Sequence, residues 1–384
     1  MNITIIGSGI TGITTAYYCA KYNHNVTIYD ERRYPAMATS YANGGQISAS
    51  NSETWNSWEN IRKASKWLLK KDAPLLISIK PDIEKITWLL KFIQAIPSKE
   101  SNTYKTCEMA IKSNLIYNEI INEENIEFDC VKKGILHIFN NEKELQKARI
   151  INKIYNKAGL KRWEVSPNEI KKIEPMISKK SIVGGFYNTL DFTGDIHKFC
   201  MELNNILIDK YKVKIIKKHI SNIDKYINDC DALIVCAGTG SRKIAKSIKD
   251  NLSIYPVKGY SITINYPGEN SPWVSLLDED AKIVTSRLGP DRLRIAGTAE
   301  LCGYNTDIRW DRIRPLIKWA EHYFPEINTE DIKPWAGLRP MTPNMMPIIG
   351  QSSNNKKVYY NTGHGHLGWT LSAYTAKAIS NYFK

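Results

Sequence analysis

Gly7–Ser8–Gly9–Ile10–Thr11–Gly12 directly follows an apolar β-like run, Asn2–Ile6, and opens a stretch of helical character over residues 10–22. A second β-like run over residues 25–29 then ends on Asp30. Strand, glycine turn, helix, strand and acid in that order make a β-α-β unit with the GxGxxG spacing of a dinucleotide-binding turn. Gly7 permits the tight turn, Gly9 lets the backbone approach a pyrophosphate, and Gly12 allows close packing of the helix. Ser8 lies in the same loop and counts with the cofactor-binding candidates. Asp30 can accept a hydrogen bond from a ribose hydroxyl, and an acid there disfavours a 2′-phosphate, so NADP fits least.

Outward from that unit, residues 104–128 and 142–159 read as helices. Residues 134–139, 185–187, 255–264, 283–287 and 293–297 read as strands without intervening helices, which predicts antiparallel pairing. An α/β pattern returns in helix 196–210, strands 213–216 and 232–237, and a final strand 358–361 followed by helix 367–383. The expected fold class is therefore α/β with an α+β insertion. A Rossmann-like cofactor domain (1–80, 185–250 and 331–384) interleaves with an antiparallel-sheet substrate domain (81–184 and 251–330).

The chain has 384 residues, 42% hydrophobic and 24% charged, which suits a packed globular protein and excludes disorder. Seven scattered cysteines lack metal-ligand or CxxC spacing, so the expectation is reduced thiols, no metal site and a cytoplasmic protein. No run of about 18 apolar residues occurs and no export signal is expected. The net charge of +14 is 53 Lys and Arg against 39 Asp and Glu, and 40 of those cations are Lys against 13 Arg. A nucleic-acid reader would favour Arg forks, so the charge argues against nucleic acid as a partner.

Two further glycine segments favour a large tricyclic cofactor held by distant parts of the chain. One is residues 237–240, with Gly238 after an apolar strand. The other is residues 362–368, where Gly363, His364, Gly365, Leu367 and Gly368 start a helix. Backbone N–H groups at such a terminus would stabilise an anionic reduced flavin.

Five blocks now carry a family likeness: the N-terminal fingerprint, Thr39–Ser48 (TSYANGGQIS), Tyr255–Ser261 (YPVKGYS), Gly337–Pro343 (GLRPMTP) and Asn361–Thr370 (NTGHGHLGWT). Together they resemble the D-amino-acid dehydrogenase small subunits, which belong to the FAD-dependent D-amino-acid oxidase family. The resemblance implies FAD on Gly7, Gly9, Gly12 and Asp30, with Asn43, Gly44, Gly45 and Gln46 beside the flavin and Val213 on the adenine side. It places the substrate carboxylate on Arg339, and a planar two-pronged cation suits a carboxylate. Tyr260 would bond the substrate or line its pocket. His364 joins the site residues, although direct hydride transfer needs no histidine base, so capping or flavin packing fits His364 and His366 better.

The implied reaction turns D-amino acids into 2-oxo acids and ammonia by hydride transfer from Cα to flavin N5, with electrons passed to a membrane quinone or another acceptor. The alternative is a glycine or sarcosine oxidase-like enzyme using oxygen. With no Cys in residues 339–342, the FAD is expected to be non-covalent. Residues 61–105 hold ten Lys or Arg against four acids, and Ile83, Ile86, Leu89, Leu90 and Ile93 fall at helical spacing near Trp67–Leu68–Leu69 and Trp88. Residues 61–99 are therefore a candidate peripheral membrane contact on the inner face of the cell membrane.

Overall fold

The computed structural model describes residues 1–67, 73–78, 80–178 and 181–384. Leu68, Leu69, Lys70 and Lys71, part of the expected membrane contact, lie outside the described residues.

The first sheet has six strands in the order Ile348–Gln351, Val358–Thr362, Ala232–Val235, Asn2–Ile6, Asn25–Asp30 and Lys214–Lys217. All neighbours run parallel except the first pair. A parallel sheet is covered on both faces, which is why Ala232–Val235 is apolar and buried throughout. Helices Ile10–Lys21, Ile196–Asp209 and Gly368–Ser380 fill one face with Ile13, Tyr17, Phe199, Leu203, Trp369 and Ala373. Ile223, Ile244 and Ile254 cover the other.

The second sheet has nine strands among the described residues; Tyr255–Asn265, next to its edge, pairs antiparallel with Arg292–Leu301 on one side and with the edge strand Ile332–Met341 on the other. Helix Trp310–Tyr323 packs Ile313, Leu316 and Trp319 on its outer face. Most pairings are antiparallel as expected, with two parallel exceptions: Ser275–Asp278 with Ile135–Phe139, and Leu75–Ile77 with Arg292–Leu301.

The expected domain boundaries need correction. Leu75–Ile77, Gly184–Asn188 and Ile332–Met341 belong to the antiparallel sheet although they fall, Gly184 apart, in the segments assigned to the cofactor domain. Conversely, helix Lys99–Glu124 sends Ile116, Tyr117 and Ile120 into the core of the parallel sheet. The boundaries followed the order of strand and helix patterns, whereas sheet membership follows hydrogen-bond partners far away in sequence.

Candidate active site

A cavity of about 1520 Å³ lies between the two sheets and touches both. It opens at the carboxyl ends of the parallel strands, where a doubly wound sheet leaves room for a ligand. Gly7, Gly9, Ile10 and Thr11 line it. Gly7 has φ +105°, and a Cβ there would stand 2.7 Å from the Cys236 carbonyl oxygen. A Cβ on Gly12 would come within 1.9 Å of Gly7 O, so Gly12 serves the packing of helix on turn and does not face the cavity.

Asp30 lines the cavity, and the backbone N–H and hydroxyl of Ser8 donate to its Oδ2 at 2.7 and 2.8 Å. Ser8 is therefore a brace for the acid, buried behind it, and does not itself reach the cavity. Glycine turn, open first helical turn and braced acid fit the pyrophosphate and ribose of a dinucleotide.

Asn43, Gly44, Gly45 and Gln46 form the next part of the wall. Asn43 Oδ1 accepts from Gly45 N–H at 2.9 Å, Ser286 donates to Gly44 O at 2.6 Å, and Gln46 Nε2 donates to Ser275 Oγ at 2.8 Å. The loop is thus clamped to the antiparallel sheet. Gly238, Gly363, His364, Gly365, Leu367 and Gly368 also border the cavity.

Val213 and Tyr260 depart from their expected roles. Val213 does not line the cavity; it is buried in the helix-side core at the amino end of its strand, opposite to the ligand end. At the carboxyl end of that strand His219 and Ile220 reach the cavity instead. Tyr260 borders the cavity, but its side chain joins the core beneath Ile313 and Leu316, and its hydroxyl donates to buried Glu300 at 2.7 Å. Alternation along the strand turns Tyr260 away from the face that carries Gly259 and Ser261. His364 is bonded through Nε2 to Thr375 Oγ1 at 2.9 Å, and burial lowers its pKa to about 3. It ties the glycine turn to the helix and is not placed as a catalytic base.

Arg339 does face the cavity. Its Nη1 donates to the carbonyls of Thr298 at 3.0 Å and Lys258 at 3.4 Å. No carboxylate among the described residues lies within ion-pair distance, and burial alone pulls its pKa down to about 10, so it remains a cation without a counterion. The seat comes from an irregularity that sequence reading missed. Lys258 pairs with Glu300 and Tyr260 with Gly297, so Thr298 and Ala299 together oppose Gly259 in a β-bulge. Thr298 takes φ +58°, a costly conformation for a β-branched residue, and presents its carbonyl to the guanidinium. Gly259 leaves the space: a Cβ there would sit 2.4 Å from Arg339 Cζ.

A second cluster could suggest different chemistry. Ser50 Oγ is 2.7 Å from His137 Nε2, and His137 Nδ1 is 2.9 Å from Glu279 Oε1, the order of a hydrolase triad. However, the backbone N–H groups of Ala49 and Ser50, candidate oxyanion donors beside that hydroxyl, both donate to Asp191 at 2.8 and 3.0 Å. The cluster reads as a buried clamp for the cavity wall.

The profile described as DAO, FAD dependent oxidoreductase, matches residues 2–382. The chain belongs to this family of FAD-dependent oxidoreductases. A D-amino acid dehydrogenase 3 of Mesorhizobium japonicum is 47% identical over 98% of this chain and 96% of its own length. A D-amino acid dehydrogenase of Paramagnetospirillum magneticum is 34% identical over 99% and 94%. Among solved structures, glycine oxidase from Geobacillus kaustophilus superposes with a TM-score of 0.77 at 17% identity, covering 99% of this chain and 93% of its own. That likeness speaks for the fold. FAD is the cofactor of this oxidoreductase family, and the cradle of Gly7, Gly9 and Asp30 is suited to hold it.

Proposed function

We propose that the protein carries out FAD-dependent oxidative deamination of D-amino acids to 2-oxo acids and ammonia. The observation that carries this reading is Arg339, a cation without a counterion on the wall of the cavity between the two sheets. Its guanidinium offers a carboxylate a charge-assisted, two-pronged partner and restores the missing countercharge. Gly7, Gly9, Asp30 and Asn43–Gln46 would hold FAD, which when bound supplies the hydride acceptor. Fixing the carboxylate on Arg339 orients Cα–H, and the walls keep water away until the imine product is released to hydrolyse. The two relatives named D-amino acid dehydrogenase support the D-configuration.

Anaerobic addition of D-amino acids should bleach the flavin absorbance, L-amino acids should not, and acid precipitation should release intact FAD. Bleaching by the L-series alone would overturn the stereochemical assignment, and flavin retained in the pellet would overturn the non-covalent one.

For the electron acceptor the proposal is a membrane quinone. Helix Ile83–Gln94 exposes Ile83 (82%), Ile86 and Leu90 (57%) along one face, with Trp58 exposed on a neighbouring helix. Other members of the expected contact turn inward: Trp88 is buried and donates to the Met341 carbonyl at 2.8 Å, and the buried Lys85 donates to Ser78 and Lys80 carbonyls. No described helix is long and apolar enough to cross a membrane. An in-plane contact through the exposed stripe would bring the cavity near a lipid-borne acceptor. Replacing Ile83, Ile86 and Leu90 with Ser should reduce binding to anionic vesicles about a thousandfold or more, at roughly 1.5 to 3 kcal/mol for each fully buried apolar side chain. Unchanged vesicle binding, or hydrogen peroxide formed in proportion to substrate, would favour oxygen as the acceptor.

A further inference from the structure

His366 lies on the same cavity wall as Arg339 and is used by nothing described so far. A bridge between Met341 and His364 holds the Gly365–Leu367 turn against the strand that carries Arg339. The imidazole is stacked on Trp55, with ring centroids 4.7 Å apart and planes 25° from parallel, so its orientation is fixed. The Asn51 backbone engages one ring nitrogen, in the sense that favours a proton there. The other nitrogen, Nε2, is buried without a hydrogen-bond partner among the described residues. With the first nitrogen carrying the proton, Nε2 presents a bare lone pair, an acceptor with no donor.

Leaving such an atom buried and unpaired costs free energy, which a ligand bringing a donor would recover. Burial and the nearby Arg339 charge lower the His366 pKa to about 3, so the ring stays neutral at ordinary pH and keeps its acceptor. Arg339 offers only donors and His366 Nε2 only an acceptor. An amino acid has the complementary pair one carbon apart: a carboxylate that accepts and an amino group that donates.

We propose that His366 Nε2 accepts a hydrogen bond from the α-amino group of the substrate while Arg339 holds its carboxylate. This rests on the amino-acid oxidation reading above and adds the residue that recognises the amine. His366 thereby distinguishes amino acids from carboxylates that lack nitrogen, and it orients the amine nitrogen whose lone pair forms the imine as the hydride leaves Cα.

The test compares His366→Leu, which removes the acceptor, with His366→Gln, whose terminal amide oxygen can reach the Nε2 position. KM for D-alanine in anaerobic flavin reduction is set beside the Kd of propionate, which has no amine, read from the perturbation of the flavin spectrum. Loss of a hydrogen bond to an amine should raise the D-alanine KM about tenfold to a hundredfold in His366→Leu, with Gln recovering most of the loss. Propionate binding should change by less than about threefold, because Arg339 is untouched. Equal weakening of propionate and D-alanine would overturn the proposal, since the ring would then only shape the cavity. An unchanged D-alanine KM in His366→Leu would overturn it as well. A wild-type flavin that no D-amino acid bleaches would overturn the underlying reading and this proposal together, an outcome distinct from the other two.

Discussion

Arg339→Met should retain FAD and lose roughly two to four decades in kcat/KM for D-amino acids, the scale of two charge-assisted hydrogen bonds at about 1.5 to 3 kcal/mol each. Arg339→Lys keeps the charge but not the fork, so its loss should lie between Met and the wild type. Most of the effect should appear in KM, because the carboxylate is held in the ground state and in the transition state alike. FAD content should hardly change, since the Gly7 turn and Asp30 belong to the parallel sheet while Arg339 sits in the antiparallel one. Near-normal kcat/KM for D-alanine in an FAD-loaded Met variant would mean that the carboxylate binds elsewhere.

Gly259→Ala should come close to the same loss with no change in any charged group. The added Cβ would stand 2.4 Å from Cζ, Nη1 and Nη2 of Arg339, a distance real side chains do not tolerate. Either the guanidinium swings off its seat or the strand pair opens at the bulge. Displacement of a positioning group by about 1 Å can cost on the order of a hundredfold, and that is the expected fall in kcat/KM. Both changes act on one element, so the double variant Gly259→Ala/Arg339→Met should be hardly worse than Arg339→Met alone. Full additivity of the two losses would remove Gly259 from the Arg339 seat.

The parallel core was legible because its rules are local. Gly7, Gly9, Gly12 and Asp30 sit at fixed offsets, and the strand and helix around them carry clear patterns. The antiparallel half was less so. Residues 255–264 are buried on both faces, so no polar alternation marks which side faces the cavity, and the direction of Tyr260 could not be read. Ile332–Met341 holds Pro334 and Pro340, which argue against a strand in sequence. Helix Trp310–Tyr323 holds Pro315 near its start and escaped notice for a similar reason. The bulge at Thr298 leaves no trace in composition, because a β-branched residue with positive φ is a choice imposed by its neighbours. Val213 was misplaced by one strand length: the strand was found, but its ligand end was not.

The strand order of the parallel sheet also has a consequence for biosynthesis. Asn2–Ile6 lies at the middle of that sheet, between Asn25–Asp30 and Ala232–Val235, and the latter in turn waits for Val358–Thr362. At about 5 to 20 residues per second, roughly 20 to 70 s separate the first of these strands from the last on a ribosome. Throughout that interval the nascent chain carries apolar strands with an unpaired edge, the condition that invites association with other chains or with holding chaperones. The final glycine turn completes the wall of the cofactor pocket, so competence to take up FAD should be acquired only once residues 362–368 have been made.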